Sequence, residues 1–73
     1  MMTVTWQTNG CKGFPEYDAH TDDYDGPRAN VIKYSGESYW SWIVYHGNRE
    51  LFRGQAPTAS KARAIAERFL GRV

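Results

Sequence analysis

Disulfides are the first thing this chain excludes. Cys11 is its single cysteine, so no internal bridge can form and a reducing compartment suits it. There is no apolar run of bilayer-spanning length and no signal-peptide pattern. The expectation is a soluble cytoplasmic protein with no membrane partner. Internal repeats and low-complexity segments are missing too. Gly10, Gly13 and Gly26 have no spacing that would open a helix onto a phosphate. Cys11, His20 and His46 lack the close pairs of a zinc site. Asp23-Tyr24-Asp25-Gly26 resembles part of a calcium loop, but Ile32 stands where the closing bidentate Glu belongs. Cys11 and His20 could form a nucleophile–base pair, yet no orienting group or oxyanion hole accompanies them at a recognisable spacing. The expectation is a protein that is not an enzyme, with no metal and no cofactor.

What the chain does have is aromatic. Its 73 residues carry three tryptophans, five tyrosines and three phenylalanines, a useful supply of buried area for a domain with little volume to spare. Charge is divided: residues 1–28 set Lys12 and Arg28 against Glu16, Asp18, Asp22, Asp23 and Asp25, a net −3, and residues 29–73 carry a net +4. Such a division marks either a binding surface or two complementary parts of one domain.

Tyr39 to Tyr45 is aromatic or β-branched except at Ser41 and predicts a central strand, apolar on both faces. Ala29 to Tyr34 predicts the strand before it, with a turn at residues 35–38. Glu50 to Arg53 predicts a short strand after it, beyond the Gly47-Asn48 turn. Thr3 to Trp6 and Glu16 to Thr21 read as short N-terminal strands, separated by the Asn9-Gly10 turn and the breakers Gly13 and Pro15. Asp22 to Pro27 is a loop by composition. Thr58 is the expected N-cap of a helix over 58–71, which Gly71 stops. Ala62, Ile65, Ala66, Phe69 and Val73 form its apolar stripe. The fold class is therefore α+β: a three- to five-stranded antiparallel sheet with one C-terminal helix packed across one face. One domain fills 1–73, with an N-terminal segment over 1–28, a three-stranded sheet over 29–54 and the helix over 58–71.

With Gly36-Glu37 and Gly47-Asn48 as two-residue turns, paired residues share a face. Val31, Trp40, Trp42, Val44 and Leu51 then lie under the helix, together with Arg49 and Arg53. Ile32, Tyr34, Tyr39, Ile43, Tyr45 and Phe52 lie on the other side, an apolar patch too large to leave bare. Cover by Val4, Trp6, Phe14 and Tyr17 of the N-terminal segment is the expectation. A second copy of the chain or another partner is the alternative.

The span from Tyr39 onward resembles small uncharacterised phage and prophage proteins, in which a Trp-x-Trp-x-Val strand is followed by a hairpin, a Gly-x-Ala, a Ser/Thr and an alanine-rich helix. The matching residues are Trp40, Trp42, Val44, Gly54, Ala56, Thr58, Ala62, Ala66 and Glu67, and Trp6 and Tyr17-Asp18-Ala19 also suit the pattern. That resemblance implies a viral accessory protein that attaches to a host component. A looser likeness joins the chain to two DNA-binding modules of three strands and a helix, the plant ethylene-response and integrase arm-binding types. Those place arginines on the sheet face away from the helix.

Function is therefore expected in binding: a non-enzymatic phage-type accessory protein that binds a host protein and modulates it, as a monomer or homodimer in the host cytoplasm. The candidate protein-binding residues are Asp22, Asp23, Tyr24 and Asp25, an acidic loop suited to a basic surface, and Tyr34, Tyr39 and Tyr45 on the rear face. The alternative is a nucleic-acid-binding module. It would use Lys61, Arg63, Arg68 and Arg72 of the helix on phosphates, or the rear-face tyrosines on unpaired bases.

Overall fold

The computed structural model describes residues 3–8, 15–23 and 25–72. Five strands, β1 (Val4–Thr8), β2 (Glu16–Thr21), β3 (Arg28–Ile32), β4 (Trp40–His46) and β5 (Arg49–Ala56), precede one helix, α1 (Ala59–Leu70). The strands form a single antiparallel sheet in chain order, each paired with its sequence neighbour. The helix lies across β3, β4 and β5 on one side. This is the α+β architecture expected, with the full five strands.

Turn chemistry sets much of the register. Gly36 and Gly47 take positive φ values of 86° and 63°, a region that costs other residues strain. The β3–β4 ladder runs from Arg28↔Tyr45 to Ile32↔Ser41, the register that a turn at Gly36-Glu37 implies. The hydrogen-bonded turn itself spans Tyr34–Glu37, and β3 stops at Ile32, short of Tyr34. The hairpin at Gly47-Asn48 likewise opens with His46↔Arg49 and Tyr45↔Glu50 as expected.

There the expected register ends. Between Val44 and Tyr45 the β4–β5 ladder shifts by one residue, so that Val44 pairs with Phe52 and Leu51 is left as the extra residue. Every side chain beyond the shift changes face. Phe52, expected on the rear face, packs under the helix with its ring 4.8 Å from that of Phe69. Arg53, expected under the helix, pairs with Ile43 on the opposite face. Arg49 sits beside His46 at the exposed hairpin end. The physical reason lies at Trp42. Without the bulge its neighbour on β5 would be Arg53, a charge buried beneath a helix; with it the neighbour is Gly54.

The core lies between sheet and helix. Ala19, Ala29, Val31, Trp42, Val44, Ala56, Ala62, Ala66 and Leu70 are buried. Trp42 stacks on Phe69 at 5.2 Å and 19°, and Trp40 meets Tyr17 at 5.9 Å. Alanines on both surfaces leave room for these rings, as small residues opposite large ones do in close-packed interiors. Thr58 caps α1, its Oγ1 accepting the Lys61 N–H at 3.1 Å. Gly71 closes the helix with φ −71°, without entering the left-handed region. Leu70 belongs to the buried stripe although the sequence pattern omitted it. Val73, also placed on that stripe, is outside the described residues, as are Phe14, Cys11 and the Asn9-Gly10 turn.

The N-terminal strands correct one expectation. β1 and β2 extend the sheet edgewise and do not fold over its rear face. Val4, Trp6 and Tyr17 sit on the helix side, packed against the core. Trp6 Nε1 donates to Glu67 Oε1 at 2.6 Å, tying the edge strand to the helix.

Candidate docking face

Because paired residues share a face, the ladder can be read as rows across the side away from the helix. The first row runs Thr5, His20, Arg28, Tyr45, Glu50. The second runs Gln7, Asp18, Asn30, Ile43, Arg53. The third runs Glu16, Ile32, Ser41, Gln55. Among the described residues no element packs on these rows: α1 contacts the sheet from the other side only. The expected cover by residues 1–20 is therefore absent from what is described of that segment.

The face is organised. Asn30 donates its side-chain amide to both Glu16 and Asp18, the latter at 2.7 Å, so one amide holds two carboxylates together on β2–β3. Arg53 lies two strands away on β5, most of its side chain in water, with Glu50 at 3.6 Å. Ile43 lies beside Asn30 in the middle row, and Ile32 and Tyr45 lie on the same two strands towards opposite ends, all three half-buried by their neighbours. A shallow groove of about 260 Å³ crosses β3, β4 and β5, with Ile32, Tyr34, Ser41, Ile43 and Gln55 among its walls. Among the described residues Tyr34 is the large apolar side chain left exposed, 49% accessible. Tyr39, just before β4, hydrogen-bonds the Glu37 carboxylate; this and partial desolvation raise its pKa above the ordinary phenol value, against a weaker opposing bond from Gln55.

The structure separates the expected protein-binding residues into two groups. Tyr34 and Tyr39 flank the β3–β4 turn at one end of the sheet. Tyr45 lies at the other end, lining one pocket with Asp25, Arg28 and His46. The acidic loop is at that second end and is internally bonded. The Asp23 N–H donates to Thr21 Oγ1, the Asp25 N–H to Asp23 Oδ1, and the Gly26 N–H to the Asp23 carbonyl. His46 Nε2 reaches the Asp25 carbonyl at 2.7 Å, joining the loop to the β4–β5 hairpin. Asp22, Asp23 and Asp25 are exposed. Tyr24 is outside the described residues.

Of the helix cations, Lys61, Arg68 and Arg72 are exposed, with the Arg72 guanidinium 4.9 Å from the Phe69 ring. Arg63 does not share their surface. It is half-buried on the flank facing β2, its guanidinium 4.8 Å from the Tyr17 ring, with Nε buried and unpaired. Its helical position lies one residue from Ala62 and three from Ala66, which places it at the edge of the apolar stripe.

Sequence reading missed Glu16, Asp18, Asn30 and Arg53 as members of one face. Strand alternation across Glu16, Asp18 and His20 carried the signal for the first two. Nothing local announced Arg53, whose face depends on the bulge. Among the described residues no group of three or more His, Cys, Asp or Glu could hold a metal, and no helix is long and apolar enough to cross a membrane.

No protein-family model matches the chain. No curated protein matches it. No solved structure matches it.

Proposed function

We propose that this is a small non-enzymatic accessory protein that works by docking another protein, a host component by the likeness to phage proteins, on the open face of its sheet. One observation carries the reading: a five-stranded sheet with a helix on one side has, among the described residues, nothing on the other. Ile32, Ile43 and Tyr45 lie on the sheet's central strands among Arg28, Asn30 and Ser41, and the flanking strands β2 and β5 carry Glu16, Asp18, Glu50 and Arg53. Large apolar side chains set among polar and charged ones are the make-up of a non-obligate protein interface. Glu16, Asp18 and Glu50 against Arg28 and Arg53 leave no net positive field for a phosphate backbone. The Asp22, Asp23 and Asp25 carboxylates steer a partner's approach from one end.

A photo-crosslinking residue in place of Ile43, with exposed Ala64 on the helix as the control position, tests the reading in the host cell. A discrete host protein captured from position 43 and not from 64 is the expected result. Equal capture from both positions, or none from 43, removes the support for this face.

Nucleic-acid binding is the second reading, favoured by one observation: the bulge moves Arg53 onto the open face, where Arg28 and Tyr45 already lie. The likeness to sheet-reading DNA modules is closer for it. A gel shift at low salt that weakens on Arg53→Ala would move the conclusion to this class; the same shift abolished only by Arg68→Ala and Arg72→Ala would place the contact on the helix.

A further inference from the structure

Resting on the reading that the open face is a docking surface, we infer that a second copy of this chain fits it, as a two-fold dimer with the sheets face to face. The observation is the order of side chains along the rows. A face-to-face dimer has its two-fold axis in the plane of contact, because a two-fold interface must be self-complementary. An axis parallel to the strands, midway between β3 and β4, lays β2 of one copy over β5 of the other and β3 over β4. Residues in one row then meet in reverse order.

The outer pairings are complementary under that reversal, and none of the inner ones opposes like charges. In the second row Asp18 of one copy meets Arg53 of the other, and Asn30 meets Ile43. In the first, His20 meets Glu50 and Arg28 meets the ring of Tyr45, a cation over an aromatic face. In the third, Glu16 meets the Gln55 amide and Ile32 meets Ser41. The two Ile43 side chains lie diagonally across the axis, beside Ile32, and supply an apolar centre. No row sets like charges together. The perpendicular axis through the middle row fails, since it would lay Asp18 on Asp18 and Arg53 on Arg53. Of these two orientations the pattern favours the first, and stacked sheets aligned within about 30° at about 10 Å separation accommodate it.

The bulge makes this pattern. Without it Arg53 would be on the helix side and the second row would lose its basic end. Asn30 contributes by holding the two β2 carboxylates in place. The four facing strands, about 4.8 Å apart and about 17 Å long, give a patch of about 330 Å² in projection on each copy. That is below the standard size of a specific interface, so the dimer is weak and concentration-dependent. A host protein that docks on the same face competes with it.

Sedimentation velocity of the full chain from about 10 μM to about 1 mM tests the inference. The expected result is a shift from monomer to dimer mass across that range. Arg53→Asp, at a side chain that is largely solvent-exposed and leaves the core intact, should weaken the dimer at least about tenfold. Asp18→Arg should do the same, and the two together should restore it to within about threefold. Gln55→Lys, facing Glu16 across the axis, should tighten it. Monomer mass at every concentration overturns the inference, and so does a dimer indifferent to these charges. A chain that stays monomeric while position 43 captures a host protein sinks the dimer and leaves the proposed function standing. A charge-sensitive dimer whose position 43 crosslinks only to itself does the reverse.

Discussion

Gly54→Ala is a sharp test of how the sheet and helix fit. Gly54 lies opposite Trp42, and the indole crosses over it on the helix side. A methyl group added there would stand 2.6 Å from Trp42 Cζ2, 2.8 Å from Cε2 and 2.9 Å from Nε1. Comfortable carbon–carbon contact needs about 3.5–4.0 Å, so the ring must retreat by about 1 Å. It has little room to do so: Trp42 is 7% exposed and stacked on Phe69, which also packs on Phe52. Overpacking of this kind costs about 1–3 kcal/mol, and replacing a strand glycine returns about 0.5–1 kcal/mol. The net loss centres on about 1.2 kcal/mol, which in a domain of this length lowers Tm by about 5–10 °C. Far-UV circular dichroism gives the melt, and the near-UV indole band reports whether the ring has turned. Trp42→Phe removes both the bulk and the buried Nε1 that lacks a partner. In that background Gly54→Ala should be neutral or stabilising, a coupling of at least about 1 kcal/mol. If Gly54→Ala melts at or above the parent with Trp42 in place, the close approach is not what holds Gly54 there, and the explanation of the bulge loses its support.

Other outcomes follow from single contacts. Thr58→Ala removes the side-chain oxygen that caps α1 and should cost about 1 kcal/mol in chemical denaturation, whereas Thr58→Ser should cost little. Ala66→Lys buries an ammonium at a position with no exposure and should leave the chain unfolded at room temperature, visible as loss of amide dispersion in NMR. Trp6→Phe deletes the hydrogen bond to Glu67 at an exposed site and should cost about 0.5–1.5 kcal/mol; an equal loss in a Glu67→Ala background would show that this bond is not the cause. Tyr39 should ionise above the usual phenol range, because its neutral form donates to the Glu37 carboxylate. Glu37→Gln should bring that midpoint down in a spectrophotometric titration, and an unmoved midpoint would assign the shift elsewhere.

Much of this molecule is readable from local chemistry. The strand at Glu16–Thr21 and the helix from a Thr58 cap to Leu70 follow from alternation, helical spacing and capping, each confined to a few neighbouring residues. The β3–β4 register follows from the glycine turn, and with it the placing of Trp40 and Trp42 beneath the helix. Three features needed the assembled chain. The bulge exists because Trp42 requires an empty site beside it, a demand set by a residue on another strand; it carries Phe52 inward and Arg53 outward. The N-terminal strands could satisfy their backbones and bury Trp6 and Tyr17 either over the sheet or beside it, and alternation is the same in both cases. They lie beside it because the helix flank offers Glu67 to Trp6 and Arg63 to Tyr17. The face away from the helix, with Asp18 and Arg53 at either side of its middle row, is a product of those two outcomes. It arises where residues far apart in sequence fall into one row, and no local pattern records such rows.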